Sequence, residues 1–217
     1  MSTKRIAVEV WALSPSQYEN YLGKRVIGRL IPVEGVPQTR VSAPRPNHTA
    51  IALQITVDNE GILLGSDLEE HDDPRRGWSA IVADKAREEA VSDIFKVPHH
   101  GSITAHHDAV WAEMLNKTPI AALTPYNRGR SPLPTANDKE RINKRAARSF
   151  ISIQRPFTSR RRRENVVEKL IQGTAVSLSR LPPGPGHIRM RRSLKNTGVD
   201  WSVDLFNGAV SLSDYKP

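Results

Sequence analysis

The chain contains no cysteine. That absence excludes a disulfide framework, a thiolate nucleophile, an iron–sulfur cluster and every thiolate zinc site, so any metal must be held by His, Asp and Glu. Aromatic residues make up only 6% of the chain, and none is spaced like a base-stacking platform around the basic clusters. No apolar run approaches the roughly 18 residues of a membrane span, and the N-terminal MSTKRIAVEVWALSPS lacks the continuous apolar stretch of a signal peptide. A soluble, cytoplasmic protein without membrane contact is therefore expected. No two of the seven His residues have a single residue between them, so no H-x-H pair occurs. A G-x-S-x-G elbow is missing too, which leaves Ser66 with no means of acting as a nucleophile beside His99.

What is present is a globular composition: 217 residues, 38% hydrophobic and 25% charged. This is enough for one large domain, or one domain and a small addition. The 32 Lys and Arg outnumber the 23 Asp and Glu, and the excess of +9 is unevenly placed. Residues 1–108 hold 12 basic and 15 acidic side chains, whereas residues 109–217 hold 20 and 8. The densest basic points are Arg160, Arg161, Arg162 and Arg163, then Arg189, Arg191 and Arg192 with Lys195. Such a field concentrates polyanions, so these arginines are candidate nucleic-acid contacts; a solvated arginine face or a docking surface for an acidic protein is the alternative.

Hydropathy patterning predicts strands at residues 6–13, 49–57, 61–64, 93–98, 120–124 and 150–153. Helices are expected at residues 16–30, 78–91, 109–115 and 136–148. Strands alternating with helices at these spacings argue for a layered α/β arrangement. Beyond residue 155 the pattern changes to a basic, β-rich one. Strands are expected at 174–180 and 187–192, and a hairpin over 201–212 turns at Asn207-Gly208, a strong type I′ signal.

Two segments carry candidate chemistry, because each places metal-competent side chains where an apolar strand ends. ILLGSDLE (62–69) delivers Asp67 just beyond its strand, and FKVPHHGS (95–102) places His99 and His100 in an exit loop. Strand alternation puts His99 on the side of Phe95 and Val97, making it the first choice of ligand and His100 a neighbouring or substrate contact. Imidazole and carboxylate suit zinc, manganese or iron, whose bound water is a nucleophile for hydrolysis. Taken singly, Asp67 reads as a turn residue and the His pair as a surface feature; together they favour metal. His106 and His107 read as capping or solvated, His48 as satisfying backbone groups, and His71 as solvent-facing.

At these segments the chain resembles the second half of a metallo-β-lactamase-fold hydrolase, in particular the ComEC-like branch. The matching pieces are Ala12-Leu13-Ser14-Pro15, Asn47 before TAIALQI, ILLGSDLE, FKVPHHGS and TPYNRGRSPLP (124–134), covering about residues 6–155. The order Gly65-Ser66-Asp67 departs from the family's Gly-Asp, and the family's H-x-H-x-D-H signature is absent. The resemblance implies the second half of an αββα sandwich over residues 1–157, followed by a basic β-rich extension over 158–217. It further implies that Asp67 bridges one or two Zn²⁺ ions, or Mn²⁺, that His99 or His100 completes a site, and that phosphodiesters such as nucleic acid are hydrolysed. The other ligands are then expected from a complementary N-terminal half, a partner protein or a homodimer. A catalytically incomplete nucleic-acid-binding or scaffolding module is the second expectation.

Overall fold

A computed structural model of the chain describes residues 6–31, 34–35, 46–87, 89–127, 131–153, 164–174, 185–194 and 200–216. It divides into two compact units, Met1–Phe150 with Ser211–Pro217, and Ile151–Val210. The architecture is mixed α/β. The strands are β1 (Val8–Ala12), β2 (Leu53–Val57), β3 (Glu60–Leu64), β4 (Ser92–Lys96), β5 (Leu115–Leu123), β6 (Arg148–Ile151), β7 (His187–Arg191), β8 (Ser202–Phe206) and β9 (Val210–Ser211). The helices are α1 (Gln17–Leu30), α2 (Gly77–Ala83), α3 (Asp108–Glu113), α4 (Ala136–Arg145) and α5 (Asn165–Thr174). One seven-stranded sheet runs β1-β2-β3-β4-β5-β6-β9, and β7 and β8 form a separate two-stranded ribbon.

Strands β1, β2 and β3 form an antiparallel meander, while β3, β4 and β5 are parallel, with α2 and α3 as crossovers. The register puts Gln54, Leu63, Phe95 and Ala121 in one row, and all four are buried. Phe95 is held edge-on by Trp78 of α2 and Trp111 of α3, at 6.2 and 5.2 Å between ring centres. The Trp78 indole donates to Leu68 O at 3.2 Å. The core thus lies between this sheet face and the crossover helices.

The opposite face is equally apolar but far less covered. Val8 and Val10 are 61% and 60% exposed, and Leu53, Ile55, Val57, Ile62, Leu64 and Ala122 are only half-buried. Only toward its middle, at Ile94 and Ile120, is that face closed. The exposure of that face is thus greatest on the antiparallel strand β1, and at the parallel strands it is confined to half-buried positions such as Ile62, Leu64 and Ala122.

Several local expectations are corrected. The helix expected over 78–91 stops at Ala83, because Asp84 turns the chain: its carboxylate accepts from Ala86 N at 2.9 Å and its carbonyl from Arg87 N at 3.3 Å. A short acidic side chain offers the backbone such bonds in place of the next helical turn. Asn207-Gly208 does form a tight turn, with φ of 57° and 123° and Ala209 N donating to Phe206 O at 3.0 Å. The strands on either side do not pair with each other, however: β8 pairs with β7, and β9 belongs to the large sheet. The expected strand at 174–180 falls mostly outside the described residues, and Thr174 closes α5, a helix that the β-rich reading of this region missed. Among the described residues no helix is long and apolar enough to cross a membrane.

Candidate functional site

Because β3 and β4 are parallel neighbours, their C-terminal ends emerge at the same sheet edge. Gly65 N donates to Lys96 O at 2.9 Å, and His99 N donates to Ser66 O at 3.1 Å, so the two exit loops are joined. The approach leaves no room for a side chain at Gly65: a Cβ there would lie 2.8 Å from Pro98 Cδ and 2.9 Å from Lys96 O. The loops are also strained. Ser66, His99 and His100 have φ of 51°, 43° and 56°, and Gly101 follows at 85°. Left-handed non-glycine residues cost about 1–3 kcal/mol each and persist only where the surroundings enforce them.

Here the surroundings are α4 and its cap. Thr135 and Asp138 form a reciprocal capping box, and the Asp138 carboxylate accepts from Arg141 Nη1 at 2.6 Å. Arg141 Nη2 then donates to Gly101 O at 2.5 Å, tying the left-handed turn to a helix.

The turn ends the strand alternation at Pro98, so the phase argument that aimed His99 toward the site does not carry through. The imidazole that faces Asp67 is His100, with Nε2 4.0 Å from Asp67 Oδ1. Its Nδ1 lies 3.0 Å from Thr124 O, an oxygen that can only accept. When Nδ1 donates to that carbonyl, the Nε2 lone pair lies on the carboxylate side; Thr124 Oγ1, 3.2 Å from the same nitrogen, is able to donate or accept. Tyr126 packs on the same ring at 5.2 Å. His99 is engaged elsewhere: Nδ1 is 3.1 Å from both Glu69 Oε1 and Thr104 Oγ1, and Nε2 is 3.4 Å from Asn47 Nδ2. Thr104 Oγ1 also donates to Glu69 Oε1 at 2.9 Å, which closes a small polar network.

Glu69, Thr104, Thr124 and Lys96 were not singled out by sequence reasoning. Glu69 lies two residues beyond Asp67 in SDLE, a spacing that could have drawn attention to it. The Lys96 ammonium donates to Val97 O at 3.2 Å; burial lowers its pKa, and the charge of Asp67 opposes that shift.

The remaining histidines are accounted for locally. His107 caps α3, accepting from Ala109 N. His106 lies 3.0 Å from Asp108 Oδ1, and burial pulls its pKa down against that carboxylate. His71 is not solvent-facing as expected: Nδ1 accepts from Asp73 N at 3.0 Å, and the ring meets His48 edge-on at 5.4 Å. Of the arginine candidates, Arg160 to Arg163 lie outside the described residues. Arg189 and Arg191 both reach Asp204, at 3.1 and 3.0 Å.

The donor chemistry at the sheet edge suits one side of a zinc or manganese ion: an outward imidazole lone pair oriented by a carbonyl, beside a half-exposed carboxylate. Two donors fall short of the three or four protein ligands that zinc sites take. Among the described residues, no group of three or more His, Asp or Glu is placed to hold a metal. Comparison of the chain with protein-family models, curated proteins and solved structures found no match.

Proposed function

We propose that this chain is one half of a metal-dependent hydrolase of the metallo-β-lactamase type, acting on phosphodiesters such as nucleic acid. Asp67 and His100 contribute two ligands, His99 sets the loop that carries them, and the other donors come with the layer that covers the open face of the sheet. The observation that carries this reading is the Asp67–His100 pair, with His100 Nε2 facing the Asp67 carboxylate at 4.0 Å across two adjacent strand ends. The half-buried apolar positions Leu53, Ile55, Ile62 and Leu64 on the second face of the sheet support a further covering layer. Asp67 and His100 would hold one side of a Zn²⁺ or Mn²⁺ ion, which would lower the pKa of a bound water for hydrolysis. Thr124 O orients His100, while Glu69 and Asn47 fix His99, so these residues arrange the donors before any ion arrives.

Zinc titration of the full chain by calorimetry tests the assignment. Binding is expected to be weak, as two ligands dictate, and to fall at least about tenfold in Asp67→Ala and in His100→Ala, since losing even an outer-shell partner typically costs about 10–100-fold. A wild type that takes up no zinc, or variants that bind as well as the wild type, would overturn it.

A further inference from the structure

We infer that the β7–β8 ribbon is a contact surface for single-stranded nucleic acid, a reading independent of the metal-site proposal. The antiparallel register pairs His187 with Phe206, Arg189 with Asp204, and Arg191 with Ser202. Alternation places these six side chains on one face of the ribbon. The opposite face carries Ile188, Met190 and Val203, which are half-buried, and Leu205, which is 38% exposed, so the ribbon has an apolar side without Phe206.

On the first face Phe206 is 39% exposed. The Arg189 guanidinium lies 5.0 Å from the centre of its ring, and the His187 ring 5.7 Å away. No aromatic stands near Arg189 and Arg191 along the sequence, but strand pairing brings the exposed Phe206 ring beside them, a surface on which an unpaired base can stack.

The charges are arranged for exchange. Arg189 Nε and Arg191 Nη2 both donate to the same oxygen, Asp204 Oδ2. One carboxylate faces two guanidiniums of five donors each, and among the described residues Asp204 is the one acidic side chain that they reach. The shared hydrogen bonds hold Asp204 ionised, its pKa lowered first by Arg189. Two residues along a strand span about 6.8 Å, close to the separation of consecutive phosphates on an extended strand. A stretched backbone laid along β7 would thus meet Arg189 and Arg191 in succession while a base reaches Phe206. Base stacking on a side chain requires an unpaired base, which favours a single strand over a duplex.

The test is fluorescence anisotropy of the full chain with a labelled mixed-sequence DNA oligonucleotide, single-stranded and as duplex, over a salt series. Arg189→Gln with Arg191→Gln should lower single-strand affinity and reduce the log–log salt slope by about 1.4, two contacts at about 0.7 each. Phe206→Leu should weaken binding by about 5- to 150-fold and leave the slope unchanged. Asp204→Asn should tighten binding, because it removes the competing carboxylate; if the arginines served only to hold the ribbon together, the same change would weaken it. Unchanged affinity in the arginine double variant, weaker binding in Asp204→Asn, or equal affinity for duplex would each overturn the assignment.

Discussion

Replacing Gly65 by alanine adds one methyl group at the point where the two candidate loops touch. The new carbon would lie 2.8 and 2.9 Å from Pro98 Cδ and Cβ and 2.9 Å from Lys96 O. These neighbours are a proline ring and a backbone carbonyl, and neither can swing aside as a flexible side chain would. Relief requires the end of β3 to move away from β4. Forced overpacking costs about 1–3 kcal/mol, and stretching the Gly65 N to Lys96 O bond adds about 0.5–1.5 kcal/mol. The expected loss is about 3 kcal/mol, or roughly 6–12 °C in melting temperature for a unit of this size. Urea unfolding should show a lower midpoint at unchanged slope. The same movement separates Asp67 from His100, so residual zinc affinity should fall together with stability. A Gly65→Ala variant within about 0.5 kcal/mol of the wild type, with zinc binding intact, would refute the view that close strand approach builds this site.

Two further outcomes follow from buried groups. Glu19 is 3% exposed and receives Arg76 Nε at 2.5 Å and Nη2 at 3.4 Å; Glu19→Ala strands the guanidinium and should cost about 3–5 kcal/mol, much of it recovered in a Glu19→Met, Arg76→Met double variant. A single-variant loss below about 1 kcal/mol in chemical denaturation would contradict this. His48 and His106 both have pKa values below the ordinary 6.5, chiefly because burial disfavours the imidazolium. Between the folded and unfolded pKa values the unfolded chain binds more protons, so their contribution is complete above about pH 6.5 and is lost as pH falls through the folded values. Urea midpoints taken from about pH 8 to about pH 5 should decline, and less steeply in a His48→Gln, His106→Gln double variant; a midpoint that rises on acidification would reverse the sign of the argument.

The alternation of strands and helices was legible because apolar spacing is a local property. GILL, DIFK and IAAL each announce a strand. Asp67, His99 and His100 could be named for the same reason: a small-residue exit from an apolar strand is visible in a dozen letters. The end of α2 was missed because the Asp84 side chain competes with the helical backbone bonds that the apolar period alone promises. The partners of Asn207-Gly208 were misjudged since a turn fixes chain reversal, while pairing depends on which strand lies beside each arm.

Composition and local pattern by themselves determined the α/β class, the exclusion of thiolate chemistry, the basic second half and the two loops that carry the candidate ligands. Which histidine meets Asp67 was decided only by tertiary structure. The choice depends on consecutive left-handed residues that Arg141 and Gly101 hold from a helix 40 residues away in sequence, and on a Thr124 carbonyl from the next strand that orients the ring. Backbone strain and the direction of a lone pair are imposed by groups distant along the chain, and no period of two or 3.6 residues encodes them.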